Sequence, residues 1–241
     1  MKRIGIVGLF LVAVFALSAM AASSASADLK AQLKGGGSIV GTTFLSTATL
    51  PLLITHNGST VHCKHATNHG KFLTATLGDI LLRFLGCTAL GLKCNTTGAG
   101  EEEIHLPLST LFHLGLAHLT STIGRIPAVA ILLGNTIEIS CQGVPIKVRG
   151  SVIGALQRNG KPVPLNTAFE DVNLNFQQTA NGLQHLRLIL MPGTTGLTTY
   201  DLEANVNNAA NFELASEVVN ALLDGFTTSG GVATQIELVE P

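Results

Sequence analysis

The stretch VNLNFQ, residues 172–177, places Val172, Leu174 and Phe176 at alternate positions with polar residues between them. Successive side chains of a β-strand point to opposite faces, so this spacing is typical of a strand with one buried face and one solvent-exposed face. An α-helix would instead bring apolar residues back every three or four positions. The stretch therefore predicts a half-buried β-strand.

The same period of two recurs in five further segments. They lie at residues 137–141, 146–149, 186–190, 200–206 and 236–238. Turn-forming pairs such as Asn57-Gly58, Asn159-Gly160 and Pro192-Gly193 lie between or beside such segments. Many short strands separated by such turns indicate an all-β fold, an antiparallel β-sandwich or barrel.

One stretch near the C-terminus follows a different period. In NFELASEVVNALLDG, residues 211–225, Leu214, Val218 and Leu222 recur at helical spacing. Asn211 is a suitable residue to begin a helix and Gly225 a suitable residue to end one. The pattern predicts one short C-terminal helix.

The N-terminus has the three parts of a secretory signal peptide. Lys2 and Arg3 precede the apolar run at 4–17, and Ala25-Ser26-Ala27 fits a cleavage site. We expect residues 1–27 to be the signal peptide, 28–37 a flexible segment and 38–241 a single β-rich domain. The product is then expected outside the cell or in the cell envelope, with no transmembrane segment in the mature chain.

Composition argues against several classes of function. The 241-residue chain has a net charge of −1, 12% charged and 5% aromatic residues, and no Trp. Nucleic-acid binding needs a basic face, which scattered Lys and Arg do not provide. No nucleophile elbow, P-loop or Rossmann glycine pattern is present, so the motifs indicate no enzyme and no cofactor.

The four cysteines, Cys63, Cys87, Cys94 and Cys141, are expected to form two disulfides, since an exported chain meets oxidising conditions. Loop entropy does not distinguish Cys63–Cys141 with Cys87–Cys94 from the sequential pairing Cys63–Cys87 with Cys94–Cys141. Cys63 and Cys141 fall on inward faces of separate strands, and Cys87 and Cys94 flank a turn-like TALGLK. This pattern favours the first pairing.

Several spaced motifs carry a family resemblance. They are FLGC (84–87), GLKC (91–94), GAGEEEIHLPL (98–108), ISCQG (139–143), VPIKVRGSVIGAL (144–156) and LNFQQTANG (174–182). Together they resemble a group of uncharacterised secreted proteins of Actinobacteria. The resemblance implies a secreted β-rich domain with paired cysteines, and it implies no activity. The chain departs from the group in the His-rich HCKHATNHG (62–70) and in the helix-like stretch.

His62, His65 and His69 are the candidate metal ligands, with His56 nearby. Imidazoles suit Zn or Cu, although on a strand His62 and His65 would point to opposite faces. His113 and His118 lie in an apolar stretch and are expected to be partly buried or at an edge. The acidic run at 101–103 is expected to be a solvated strand start.

These observations favour a non-enzymatic module of the cell exterior or envelope, structural or adhesive, with an unknown extracellular or envelope partner. One alternative is a β-barrel that binds a small apolar ligand, which a cavity lined by Leu, Ile and Phe would favour. The other alternative is a metal-dependent activity at His62, His65 and His69.

Overall fold

The computed structural model of the chain describes residues 29–106, 110–118, 125–179, 183–192 and 197–240. Every regular element in these residues is a β-strand, which confirms the predicted all-β class. The strands are β1 Lys30–Leu33, β2 Thr43–Thr49, β3 Leu52–Thr55, β4 Thr60–His62, β5 His65–Phe72, β6 Leu77–Leu81, β7 Arg83–Leu85, β8 Thr88–Ala89, β9 Leu92–Thr96, β10 Glu103–His105, β11 Leu111–His118, β12 Arg125–Cys141, β13 Val144–Arg158, β14 Lys161–Pro162, β15 Val172–Phe176, β16 Leu188–Leu190, β17 Leu197–Thr199, β18 Leu202–Val206, β19 Glu213–Thr227 and β20 Ile236–Val239. The predicted signal peptide lies outside the described residues. No helix in the described ranges has the length and apolar character needed to cross a bilayer.

Eight of the strands pair side by side until the last returns to the first. The order is β2, β5, β6, β11, β12, β13, β15, β19 and again β2, and every neighbouring pair is antiparallel. A sheet that closes in this way is a barrel rather than an open sandwich. We call this set of strands the first ring.

A second ring shares the three longest strands with the first. The order is β3, β4, β8, β9, β12, β13, β18, β19 and again β3. Strands β12, β13 and β19 have 17, 15 and 15 residues. At about 3.3 Å per residue they are about 50 Å long, enough to run through both rings. The two rings are therefore stacked end to end on three common strands.

The interior of the first ring follows directly from alternation along its strands. In β5 every second residue is buried, from Ala66 to Phe72, and β2 alternates in the same way. Phe44, Phe72 and Phe112 meet in this interior with ring centroids 5.2–5.8 Å apart. The ring of Phe44 lies over Gly70, where a Cβ would come within 2.1 Å of it. Glycine at this position is thus required by the packing of the aromatic core.

A second, smaller cluster lies outside the barrel. Ile189 on β16 is fully buried against Ile153 and small residues of β11 and β12. β16 also pairs with the edge of β11. The segment that carries β16 therefore covers part of the outer face of the barrel.

The first and last strands pair with each other. β1 and β20 form a separate two-stranded sheet, and Leu29 and Leu238, at 1% exposure each, pack into the main core. β1 lies within the segment 28–37, which the Gly-rich sequence led us to expect as flexible. Burial of Leu29 and Ala31 gives its N-terminal half a fixed position, whereas Gly35 and Gly36 form the turn that follows.

The predicted helix at 211–225 is wrong, because this stretch forms strand β19. Ala215, Val219 and Leu223 point into the barrel, while Leu214 and Leu222 on the other face are half-buried beneath neighbouring residues. Apolar residues on both faces of a strand reproduce the three-and-four spacing of a helix. This strand pairs with β2 and β3 along one edge and with β15 and β18 along most of the other, and this tertiary pairing overrides local propensity.

The favoured disulfide pairing is also wrong, because the bonds are Cys63–Cys87 and Cys94–Cys141. Cys94 lies directly opposite Cys141 in the β9–β12 ladder, so its side chain meets a neighbouring strand rather than its own hairpin. The turn between Cys87 and Cys94 is closed by the Cys94 N–H donating to the Cys87 carbonyl at 2.9 Å. The two bonds are the sequential alternative that loop entropy did not exclude.

Candidate ligand cavity

An apolar cavity lies where the two rings meet. Its volume is about 80 Å³. Ile131 and Val152 contribute from the first ring, and Val61, Ile139 and Val148 from the second. Cys63 also lines the cavity, so the disulfide Cys63–Cys87 is part of its wall. The space is partly open to solvent rather than sealed inside the protein.

Glu217 is the one ionisable side chain among the described residues that line this cavity. It lies on β19 opposite Leu53 of β3 and follows the inward alternation of Ala215 and Val219. Glu217 is half-buried, and its side chain is among those that line the cavity. An inward-facing glutamate is thus placed in an otherwise apolar space.

The carboxyl of Glu217 has no hydrogen-bond or ion-pair partner in the described part of the chain. Burial alone raises its pKa to about 7, since an apolar environment disfavours the charged form. A buried polar group is normally paired, because leaving one unpaired costs about 1–3 kcal/mol. The ionised form of Glu217 therefore lowers the stability of the barrel unless a cation or a hydrogen-bond donor in the cavity pairs with it.

The backbone at Glu217 is held by Gln184. β15 pairs with β19 from Val219 onward and β18 pairs with it up to Ala215, so one edge of β19 is unpaired between these ladders. Gln184, which is 2% exposed, fills the gap: its Oε1 accepts from the Glu217 N–H at 3.1 Å. Its Nε2 donates to the Gln177 carbonyl at 3.1 Å. The LNFQQ stretch thus helps to fix the position of the cavity glutamate.

A second space of about 30 Å³ lies on the other side of Glu217. It shares Leu82 and Ile131 with the first cavity and adds the buried polar pair Ser46 and Asn68. Asn68 is satisfied by its own neighbours, because its Nδ2 donates to Ser46 Oγ at 3.2 Å and its Oδ1 accepts from the Arg83 N–H at 3.1 Å. Of the polar groups along this interior, the Glu217 carboxyl is the one left without a partner among the described residues.

The candidate metal ligands lie on the outer surface instead. His65 and His69 are exposed on the outward face of β5, four positions apart, and His62 is exposed at the end of β4. His62 Nε2 is 3.0 Å from the hydroxyl of Thr60. Within the described ranges no group of three or more His, Cys, Asp or Glu is placed to hold a metal ion. The metal site at His62, His65 and His69 stays a prediction, which metal analysis of the purified protein tests.

The other singled-out residues have ordinary surroundings. His113 is half-buried on β11, and burial lowers its pKa. The side chain of His118 lies outside the described residues. In the acidic run, Glu103 pairs with Arg83 at 3.0 Å and with His105 at 3.1 Å, and a hydrogen bond from Arg83 lowers the pKa of Glu103. The run is a partly exposed start of β10.

Sequence reasoning missed Glu217 because it assigned residues 211–225 to a helix. The signal was present in the alternation of Ala215, Glu217, Val219 and Ala221, which places a charged residue on the apolar face of a strand. No family model, no curated protein and no solved structure matches the chain.

Proposed function

We propose that this protein is an exported, non-enzymatic binding module that holds a small, mostly apolar ligand at the junction of its two rings. The observation that supports this most is the cavity of about 80 Å³ lined by Leu, Ile, Val and Phe side chains. Ligand sites are typically concave, mostly apolar and equipped with few polar groups, and this space has all three features.

The size of the cavity limits the size of the ligand. Sites for drug-sized molecules measure about 300–1,000 Å³, and an engineered apolar cavity of about 150 Å³ binds benzene. A space of about 80 Å³ suits a molecule of a few heavy atoms. Leu52, Leu53 and Leu133, which are half-buried, line the side from which we expect such a molecule to enter.

Two observations support export. The first 27 residues have the pattern of a signal peptide. Both cysteine pairs form disulfides, and these persist in oxidising compartments. We place the protein outside the cell or in the envelope on these grounds.

The test is a titration of the purified, oxidised protein with isobutanol, followed by the methyl resonances of its Ile, Leu and Val residues. We expect saturable shifts at cavity methyls such as those of Ile131 and Ile137. Val148→Phe fills the cavity and should abolish the shifts, whereas Val232→Phe, at a residue 65% exposed, should not. Absence of saturable shifts in the wild type would contradict the proposed function.

An adhesive role is the second candidate, and one surface feature favours it. Leu45 and Leu81, 45% and 38% exposed, flank His69 across three neighbouring strands. They line a groove of about 550 Å³ on the outside of the first ring. If this face binds an envelope component, Leu45→Ser with Leu81→Ser should reduce sedimentation of the protein with actinobacterial envelopes, and Val148→Phe should leave it unchanged.

A further inference from the structure

We propose that the ligand is a small primary amine whose ammonium group pairs with the Glu217 carboxylate while its alkyl body fills the apolar cavity. This inference rests on the proposed binding function of the cavity. It adds the chemical class of the ligand and the residue that recognises it.

The unpartnered carboxyl supports this assignment. An ionised carboxylate only accepts hydrogen bonds, so its complement is a donor. The residues that surround this carboxyl in the cavity are apolar. No side chain in the described part of the protein pairs with it. A buried charge becomes tolerable when an opposite charge and hydrogen bonds accompany it, and an ammonium group supplies both.

The lining argues against the opposite class of ligand. In the described residues neither Arg, Lys nor His lines the cavity, so a ligand carboxylate or phosphate would meet Glu217 without a compensating cation. A neutral ligand that only accepts hydrogen bonds would need the protonated carboxyl and would bind best in acid. Burial raises the pKa of Glu217 to about 7, so about half of the carboxyl groups are ionised at neutral pH, and a bound ammonium group would favour the ionised form.

The ionisable groups on the surrounding strands do not face Glu217. Most of them pair with one another away from the cavity: Glu103 with Arg83 and His105, Lys147 with Glu138, and Arg149 with Glu203. His62 on β4 and Glu213 on β19 are exposed, and neither lines the cavity. The pH dependence of amine binding should therefore report Glu217.

The experiment compares isobutylamine, isobutanol and isovaleric acid as probes of similar shape, by methyl NMR titration at pH 5.5, 7.0 and 8.5 in phosphate or borate buffer. Isobutylamine should bind about 30-fold more tightly at pH 8.5 than at pH 5.5, since the ionised fraction of a group with a pKa of about 7 rises by that factor. Isobutanol should show little change, and isovaleric acid should bind most weakly at pH 8.5.

Two variants decide the role of the carboxyl. Glu217→Gln should remove the pH dependence and weaken isobutylamine binding at least tenfold at pH 8.5 while isobutanol binding persists. Glu213→Gln, on the same strand but exposed, should behave as the wild type. Isobutylamine that binds Glu217→Gln as tightly as the wild type, or an alcohol that binds while the amine does not, overturns the amine assignment and leaves the proposed function standing. If no probe binds, both fail.

Discussion

Replacing Glu217 by glutamine should stabilise the protein at neutral and alkaline pH. Burial raises the pKa of Glu217 from 4.5 to about 7, so the folded state holds the proton more tightly than the unfolded state. The wild type therefore loses stability as the pH rises from 4.5 to 7, and the loss is complete above 7. At 1.36 kcal/mol for each pKa unit, the loss is about 3 kcal/mol.

Glutamine has nearly the same shape and does not titrate, so Glu217→Gln should match the wild type near pH 4 and exceed its free energy of unfolding by about 3 kcal/mol at pH 8. The assay is urea unfolding followed by far-UV circular dichroism, with disulfides intact and in buffers without amines. With a slope of about 2 kcal/mol per molar urea, the midpoint should rise by about 1.5 M at pH 8.

All other titrating groups are common to the variant and the wild type. Their contributions therefore cancel when the two free energies of unfolding are subtracted. Glu213→Gln is the matched control, because Glu213 lies four residues earlier on β19 with its side chain exposed. The difference in free energy of unfolding between this variant and the wild type should not change with pH. If Glu217→Gln is less stable than the wild type at pH 8, or if its free energy of unfolding differs from that of the wild type by the same amount at every pH, then burial does not raise the pKa of Glu217.

The remaining predictions concern the two disulfides and the aromatic core. Replacing Cys63 and Cys87 by alanine removes a link of sequence separation 24, and replacing Cys94 and Cys141 removes one of 47, so urea unfolding should show losses of about 3 and about 4 kcal/mol. Peptide mapping without reduction should recover these same two cross-linked pairs; a peptide that joins Cys87 to Cys94 would contradict the fold. Gly70→Ala should cost about 2 kcal/mol, because the new Cβ meets the ring of Phe44 at 2.1 Å, and combining it with Phe44→Leu should recover part of the loss. If Gly70→Ala lowers the free energy of unfolding by the same amount with and without Phe44→Leu, a clash between the new Cβ and the ring of Phe44 is excluded.

The alternation of apolar and polar residues predicted the strands that have one apolar face and one polar face. Residues 172–176 and 137–141 form strands as the sequence predicts, because their two faces meet core and solvent. The strand at 213–227 was not predicted from the sequence, because both of its faces pack against protein and so both carry apolar residues. Which neighbours cover an outer face is decided by ladders between distant segments, and one sequence does not contain that information.

The candidate site was hidden for a related reason. The four cysteines indicated two disulfides. Which cysteines pair depends on the ladder between β9 and β12, in which Cys94 lies opposite Cys141. Glu217 could be recognised as a buried carboxyl only once β19 was known to be a strand of both rings. The histidines were more conspicuous in the sequence, yet their outward positions on β4 and β5 separate them from the interior.

The most direct test of the central claim is a pH titration of the Glu217 side-chain carboxyl carbon by ¹³C NMR, with the resonance assigned by its absence from Glu217→Gln. We expect a midpoint near 7 in the free protein and a lower midpoint when isobutylamine is bound. A midpoint near 4.5 that isobutylamine does not move would contradict both the buried carboxyl and the binding role built on it.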